Sequence, residues 1–225
     1  MNENNEHYKS MCNNLLGIGV DIFKDYGEMA LDFFTDDNII KNIPIISTFI
    51  NLGKCGITIR TLQFARNYCS FIEKVRNGEI PKEQLEKHIN ELNTNPKQMQ
   101  KEIETLLIYL EQYKEINQIE YMANIYRAFL LPDIGGIDWD EVVIFFELLS
   151  RLLPRDIEDL NKIALHGARA SEFNDHSGLL RLSSLGLVQY FNGKEEKYGH
   201  NKSGVAKLTG QGKLFYRVIT YAKAV

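Results

Sequence analysis

The sequence is poor in cysteine, and its few cysteines follow no metal-binding pattern. Cys12, Cys55 and Cys69 are the only three in 225 residues, and none of them forms a Cys-x-x-Cys pair or another zinc-ligand spacing. An odd number also does not suit a disulfide framework. Because all three lie within helical patterns, we expect reduced, packed thiols of the kind found in cytoplasmic proteins.

Targeting signals and cofactor motifs are lacking as well. No run of about 18 uncharged apolar residues occurs, so the sequence predicts no membrane-spanning helix. The segment Met1–Glu6 has no basic residue to begin a secretory signal, so we expect a cytoplasmic protein. Gly53-Lys54 precedes Cys55, where a phosphate loop needs Ser or Thr to hold magnesium. We therefore expect no cofactor and no catalytic residue.

What the sequence does have is helical periodicity. Apolar residues three and four apart between Ile119 and Leu130 predict one buried helical face. The run Val142–Leu149 is apolar on nearly every side, so we expect other elements to cover it all round. The residues predicted to form the core of the helical body are Tyr126, Phe129, Phe145, Phe146 and Leu149.

The loop before this apolar run contains a small acidic cluster with two possible interpretations. Asp133, Asp138 and Asp140 do not follow the spacing of a calcium loop. Asp138 and Glu141 stand three residues apart, which is the spacing of a capping box at a helix N-terminus. We therefore predict a helix cap and no metal site.

Similar patterns predict further helices along the chain, with breaks at Pro44, Asn77-Gly78 and Asn95-Pro96. The predicted fold class is mostly α: a multi-helix bundle with a C-terminal α+β segment that contains a β-hairpin. The predicted domains are a helical body over residues 1–153 and a tail over residues 154–225. The predicted helices of the body cover residues 7–35 and 45–75, begin again at Pro81 and Asn95-Pro96, and end with the pair around Ile119–Leu130 and Val142–Leu149.

Few titratable residues of the body suggest chemistry. His88 lies at the edge of a helical stripe, where a histidine is more often partly buried and hydrogen-bonded than a ligand. Glu102, Glu104 and Glu111 are expected on the outer face of their helix, as solvated charge.

The net charge of −4 hides an asymmetry between the two parts of the chain. Residues 1–166 hold 17 Lys and Arg against 26 Asp and Glu, a net charge of −9. Residues 167–225 hold 9 against 4, a net charge of +5. A basic tail on an acidic body indicates that the two parts meet different partners, or each other.

The tail has the element order of a winged helix. A short helix from His176 ends at Gly186, two strands follow at Leu187–Phe191 and Val205–Thr209, and a last helix begins at Gly210. Within it, Leu182–Val188 and Leu208–Gly212 resemble the "leucine-glycine-leucine-valine" and "leucine-threonine-x-x-glycine" signature of winged-helix domains. The resemblance implies a winged-helix fold, which binds DNA in some proteins and other proteins in many.

A second resemblance concerns the body. The segment Ile43–Thr48, the pair Ala128-Phe129 and the segment Gly136–Glu141 resemble an uncharacterised family of bacterial helical proteins. The helix pair is also similar to tellurite-resistance-type helical domains, which carry more acidic residues in the loop, so no metal site is carried over. The resemblance implies a bacterial or phage origin and a stress or defence setting.

These observations favour a non-enzymatic bacterial interaction or regulatory protein, associated with stress or phage defence, whose partner is a protein or a second copy of the chain. The first alternative is a DNA-binding winged-helix regulator, with weak, salt-sensitive nucleic-acid binding. An enzyme, or a membrane-surface effector acting through residues 45–60, comes after these. The candidate contact residues for nucleic acid or a partner are His176, Ser177, Arg181, Ser184, Lys194, Lys197, Lys202 and Lys207.

Overall fold

The computed structural model of the chain describes residues 3–16, 59–76, 80–131, 136–166, 176–191 and 205–220. This part is mostly helical, with nine α-helices and one antiparallel pair of short strands, which confirms the predicted fold class. The helices are α1 (Glu3–Leu16), α2 (Ile59–Arg76), α3 (Lys82–Thr94), α4 (Pro96–Gln112), α5 (Ile116–Leu130), α6 (Trp139–Arg151), α7 (Pro154–His166), α8 (His176–Ser184) and α9 (Gly210–Ile219). The strands β1 (Val188–Phe191) and β2 (Val205–Leu208) lie between α8 and α9.

Some predictions fall on other parts of the chain. The predicted break at Pro44, the predicted helix beyond Leu16 and residues 45–58 of the segment considered for membrane contact lie outside the described residues. Within the described ranges, every helix is too short or too polar to cross a lipid bilayer.

The chain divides into two compact units, Met1–Val143 and Ile144–Val225. The division falls inside α6, whereas the sequence places the start of the tail at Pro154, after that helix has ended. The packing of Phe145 explains the difference, because its ring lies 5.3 Å from that of Phe215 in the last helix. The later part of α6 therefore packs with the tail.

In the first unit, α2 packs against α4 and α5, and α1 packs against α3 and α4. The side chain of Asn67, which is fully buried on α2, fixes one of these contacts. Its Nδ2 donates to the backbone carbonyls of Leu110 and Tyr113, both at 2.8 Å. Carbonyls at the end of a helix lack partners within the helix. Asn67 supplies them, so it ties α2 to the C-terminus of α4.

The predicted helix caps are present. The backbone N–H of Glu141 donates to Asp138 Oδ1 at 2.9 Å, and the N–H of Asp138 donates back to Glu141 Oε2 at 3.0 Å. This reciprocal pair confirms the predicted capping box at the start of α6. Asn95 likewise caps α4, because its Oδ1 accepts from the N–H of Gln98 at 3.3 Å.

Four of the five predicted core residues are buried, and the five are divided between the two units. Tyr126 is fully buried in the first unit, and Phe129 is half-buried beside it. Phe145, Phe146 and Leu149 are buried in the second unit. The predicted burial is confirmed for four of the five. One residue of the apolar run, Ile144, is 46% exposed, so the cover on α6 is incomplete.

In the second unit, α7 packs against α8, β2 and α9. The strands pair antiparallel, with Val188 opposite Leu208 and Phe191 opposite Val205. Helix α8 ends at Ser184, and Gly186 two residues later has a φ of 73°, in the left-handed region that favours glycine. The chain can therefore turn directly from α8 into β1.

Thr209 joins the end of the strand pair to the start of α9. Its Oγ1 accepts from the N–H of Gly212 at 2.9 Å, which caps the helix, and donates to the carbonyl of Gly186 at 2.6 Å. Its backbone N–H donates to the carbonyl of Leu187 at 3.0 Å. A Cβ on Gly212 would lie 1.9 Å from that same Leu187 carbonyl oxygen, so a residue without a side chain is required there.

Candidate interaction surface in the C-terminal unit

Four of the predicted contact residues lie on α8, and the structure shows which face of the helix they occupy. Leu179 and Leu182 point into the core of the second unit. Ser177 and Ser184 are exposed and flank Leu180, which is 63% exposed. These three residues, spaced by three and four positions, share one helical face. We call Ser177, Leu180 and Ser184 the outward face of α8. Helix α8 begins at His176, whose side chain is outside the described residues.

The single arginine of α8 makes a bidentate ion pair within the same unit. Arg181 Nε donates to Asp156 Oδ2 at 2.8 Å, and Nη2 donates to Oδ1 at 2.7 Å. Asp156 is fully buried, and its Oδ2 also accepts from the backbone N–H of Leu153 at 2.9 Å. Two parallel charge-assisted bonds fix the guanidinium in orientation. Arg181 therefore balances a buried carboxylate and joins α8 to α7.

A second carboxylate of α7 lies against the first turn of α8. A Cβ on Gly178 would be 2.6 Å from Asp159 Oδ2, so this glycine permits a close approach of the two helices. Asp159 is buried, and its Oδ1 lies 3.4 Å from Lys162 Nζ. Negative charge is favourable at a helix N-terminus. The carboxylates of Asp159 and Asp156 lie beside that end of α8.

The remaining predicted contact residues are lysines. Lys194, Lys197 and Lys202 lie outside the described residues. Lys207 is exposed on β2, opposite Gln189 on β1. Ser184 lies at the other end of the outward face, where its Oγ donates to the carbonyl of Arg181 at 2.8 Å. The structure thus brings Ser177, Arg181 and Ser184 together on one helix and places Lys207 on a strand.

Lys207 lines a groove that the sequence does not predict. The groove has a volume of about 440 Å³ and lies where α7, β2 and α9 meet. Its wall includes Tyr216, whose hydroxyl donates to Asn161 Oδ1 at 2.6 Å. The lining residues are Ile163, Ala164, Lys207, Leu208, Lys213 and Tyr216.

The first unit contains a buried polar cluster of three helices, and here one prediction is wrong. Glu102 was expected in solvent, but it is 1% exposed. Its Oε1 lies 2.7 Å from His88 Nε2 and accepts from the hydroxyl of Tyr126 at 2.6 Å. The expected burial of His88 is confirmed. Glu102 follows Met99 by three positions and precedes Leu106 by four, so its phase with the apolar stripe was the available signal.

Two groups close to Glu102, the Cys12 thiol and the Tyr126 hydroxyl, have raised pKa values. Burial, and then the charge of Glu102, raise the pKa of the Cys12 thiol to about 12. Burial and Glu102 also raise the pKa of Tyr126 well above its ordinary value. A thiol is nucleophilic and binds metals as the thiolate, so Cys12 near neutral pH is a packing group. Among the described residues, no three His, Cys, Asp or Glu side chains are placed to hold a metal ion.

No family model, curated protein or solved structure matches this chain. Its function is therefore argued from these residues and their contacts.

Proposed function

We propose that this is a non-enzymatic interaction protein of the bacterial cytoplasm, and that its second unit is a winged-helix-like element that binds a protein partner. The observation that supports this best is the uncharged outward face of α8. Leu180 is 63% exposed there, and the one arginine of the helix is paired with buried Asp156. The centres of protein interfaces are depleted in charged residues, which suits such a face.

A helix that binds in the major groove needs different residues. Base edges are contacted by side chains that donate or accept hydrogen bonds, and the flanking phosphates by cations and amides. Among the described side chains of α8 the exposed donors are two serines, and the Asp159 carboxylate lies beside the first turn of the helix. A partner's apolar side chain over Leu180 would instead bury area that water now contacts.

DNA binding remains the second candidate, because residues 167–225 carry a net charge of +5 and Lys207 is exposed. In that case the lysines would contact phosphates, and the affinity would be low and strongly dependent on salt. The stress or phage-defence setting of the protein belongs to the same proposal and is supported by the sequence resemblance alone.

The test uses a photo-crosslinking amino acid at Ser184 of the full chain, expressed in cells. We expect a discrete covalent adduct with another polypeptide or a second copy, and its loss in Leu180→Glu. The matched control carries the same crosslinker at Glu158, which is exposed on α7. Thermal unfolding of Leu180→Glu should match the parent chain, because the substituted side chain is exposed.

Gel-shift titration of the full chain with DNA, at low salt and at about 150 mM salt, tests the alternative function. Nanomolar, sequence-selective binding at the higher salt, without any Leu180-dependent adduct, would make DNA regulation the leading function. Arg181→Ala is unsuitable as the diagnostic variant, because it also leaves Asp156 buried without its cation. Lys207→Ala changes an exposed residue and is used in its place.

A further inference from the structure

The groove between α7, β2 and α9 combines an apolar floor with a cationic rim. Ile163 is 3% exposed at its base, and Ala164 and Leu208 extend the apolar surface. Lys207 and Lys213 are exposed at the rim. Among the described residues neither lysine forms an ion pair, and no Asp or Glu lines the groove.

We propose that this groove binds an acidic–apolar segment of a partner protein, with an apolar side chain on the floor and flanking carboxylates on Lys207 and Lys213. This rests on the proposed function, since it requires a protein partner, and it adds the chemistry of that partner's docking segment. The volume of about 440 Å³ accommodates one or two side chains. Unpaired cations at a rim select carboxylates and speed encounter with an acidic segment.

Charge complementarity decides between this occupant and nucleic acid. A phosphate backbone would satisfy the two lysines but would leave Ile163, Ala164 and Leu208 against a highly hydrated polyanion. An acidic peptide with a central leucine or phenylalanine satisfies both parts of the groove. Tyr216, in the wall of the groove, is oriented by the hydrogen bond that its hydroxyl donates to Asn161 Oδ1.

The probe is a fluorescein-labelled peptide with a Leu-Phe pair between two short runs of glutamate, titrated by anisotropy into the full chain. Three comparison ligands each share either the length or the negative charge of the probe. The first replaces the glutamates by lysines, the second replaces Leu-Phe by further glutamates, and the third is a labelled DNA duplex. We expect micromolar binding of the probe and at least about ten-fold weaker binding of each of the three comparison ligands.

Two kinds of variant test the two parts of the groove. Lys207→Glu and Lys213→Glu reverse charge at the rim, and each should weaken the probe by about ten-fold or more. Their control is Lys97→Glu, the same change at an exposed lysine of α4 in the first unit. Ala164→Glu places a carboxylate in the groove and should abolish binding. Its control, Leu165→Glu, changes the next residue of α7, which is 63% exposed and does not line the groove.

Several results would overturn the proposal. The first is no binding of the probe to a folded chain. The second is binding that Lys213→Glu leaves unchanged, since that side chain is exposed and its loss does not endanger the fold. Equal binding of the all-glutamate peptide would show that the groove binds anions without selecting apolar side chains. Preferential binding of DNA that is lost in Lys207→Glu would show that the groove is a nucleic-acid surface.

The two proposals can fail separately. If the probe does not bind while the Ser184 adduct still depends on Leu180, the groove proposal alone is wrong. If the adduct fails while the probe binds, the α8 surface is wrong and the groove stands.

Discussion

Glu102 is a carboxylate removed from water, and its surroundings only partly replace the water. Oε1 has two hydrogen-bond partners, His88 and Tyr126, while Oε2 has none among the described residues. Leaving a buried polar atom without a partner costs free energy. Among the described residues the two bonds to Oε1 are the hydrogen bonds that stabilise this group, so we expect the cluster to be sensitive to the loss of either one.

The hydroxyl of Tyr126 is the donor whose removal tests this cluster. Tyr126→Phe takes away the hydroxyl that donates to Glu102 and should lower the free energy of unfolding by about 1–3 kcal/mol. Urea denaturation followed by circular dichroism measures it. The control is Tyr216→Phe, which removes a hydrogen bond of the same 2.6 Å length at an exposed position. We expect the control to change the same quantity by less than about 0.5 kcal/mol. If both variants lower the free energy of unfolding equally, the burial of Glu102 does not add to the energetic contribution of its hydrogen bond.

Two short segments of the tail show the backbone geometry behind the winged-helix-type signature. The "leucine-glycine-leucine" part is a helix ending, in which the N–H of Leu187 donates to the carbonyl of Leu182 and the N–H of Gly186 to that of Ser183, each at 3.0 Å. The "leucine-threonine-x-x-glycine" part is a helix cap at Thr209 followed by a close backbone approach at Gly212. Both are backbone requirements, so they say nothing about which partner is bound.

Gly212 lies where the backbone of α9 closely approaches the backbone of Leu187. Gly212→Ala would put a methyl group 1.9 Å from the carbonyl oxygen of Leu187, so α9 and β1 must move apart. We expect a loss of at least about 2 kcal/mol in the free energy of unfolding. Gly210→Ala is the matched control two residues earlier, where a Cβ would meet nothing within 4 Å. It should be neutral or stabilise by up to about 1 kcal/mol. Similar thermal midpoints for the two variants would contradict the close approach.

The elements themselves were largely predictable, because each depends on residues close together in the sequence. Apolar periodicity gave α3 to α9, and the spacing of Asp138 and Glu141 gave the cap. The sites were much less predictable. The groove is made by residues from Ile163 to Tyr216 on three elements, and the partner of Arg181 lies 25 positions away, at Asp156. Such contacts depend on tertiary packing, which periodicity does not contain.

The thiols of buried Cys12 and half-buried Cys69 predict how the stability of the protein changes in alkaline solution. Burial raises the pKa of both Cys12 and Cys69 from 9.0 to about 12. Between those values the unfolded chain loses the two protons while the folded chain keeps them. The two thiols should therefore leave stability unchanged below about pH 9 and lower it as the pH rises towards 12, by at most about 1.4 kcal/mol per pH unit for each thiol.

Urea denaturation at a series of pH values between about 7.5 and 10.5 checks this. Cys12→Ala removes one titrating group, so its stability should fall less steeply with pH than that of the parent chain. Parallel curves for the two proteins would show that the thiol of Cys12 titrates alike in the folded and unfolded states.

The bonds of Thr209 have a consequence for where the chain can be cut. Thr209 directly follows β2 and caps α9. It also donates hydrogen bonds to the carbonyls of Gly186 and Leu187, just before β1. A protease that cleaved between Leu208 and Gly212 would release the helix cap and the strand ends in the same event. Limited proteolysis should therefore leave this junction intact until the whole second unit opens, and a truncation that ends before Gly210 would lose more than one helix.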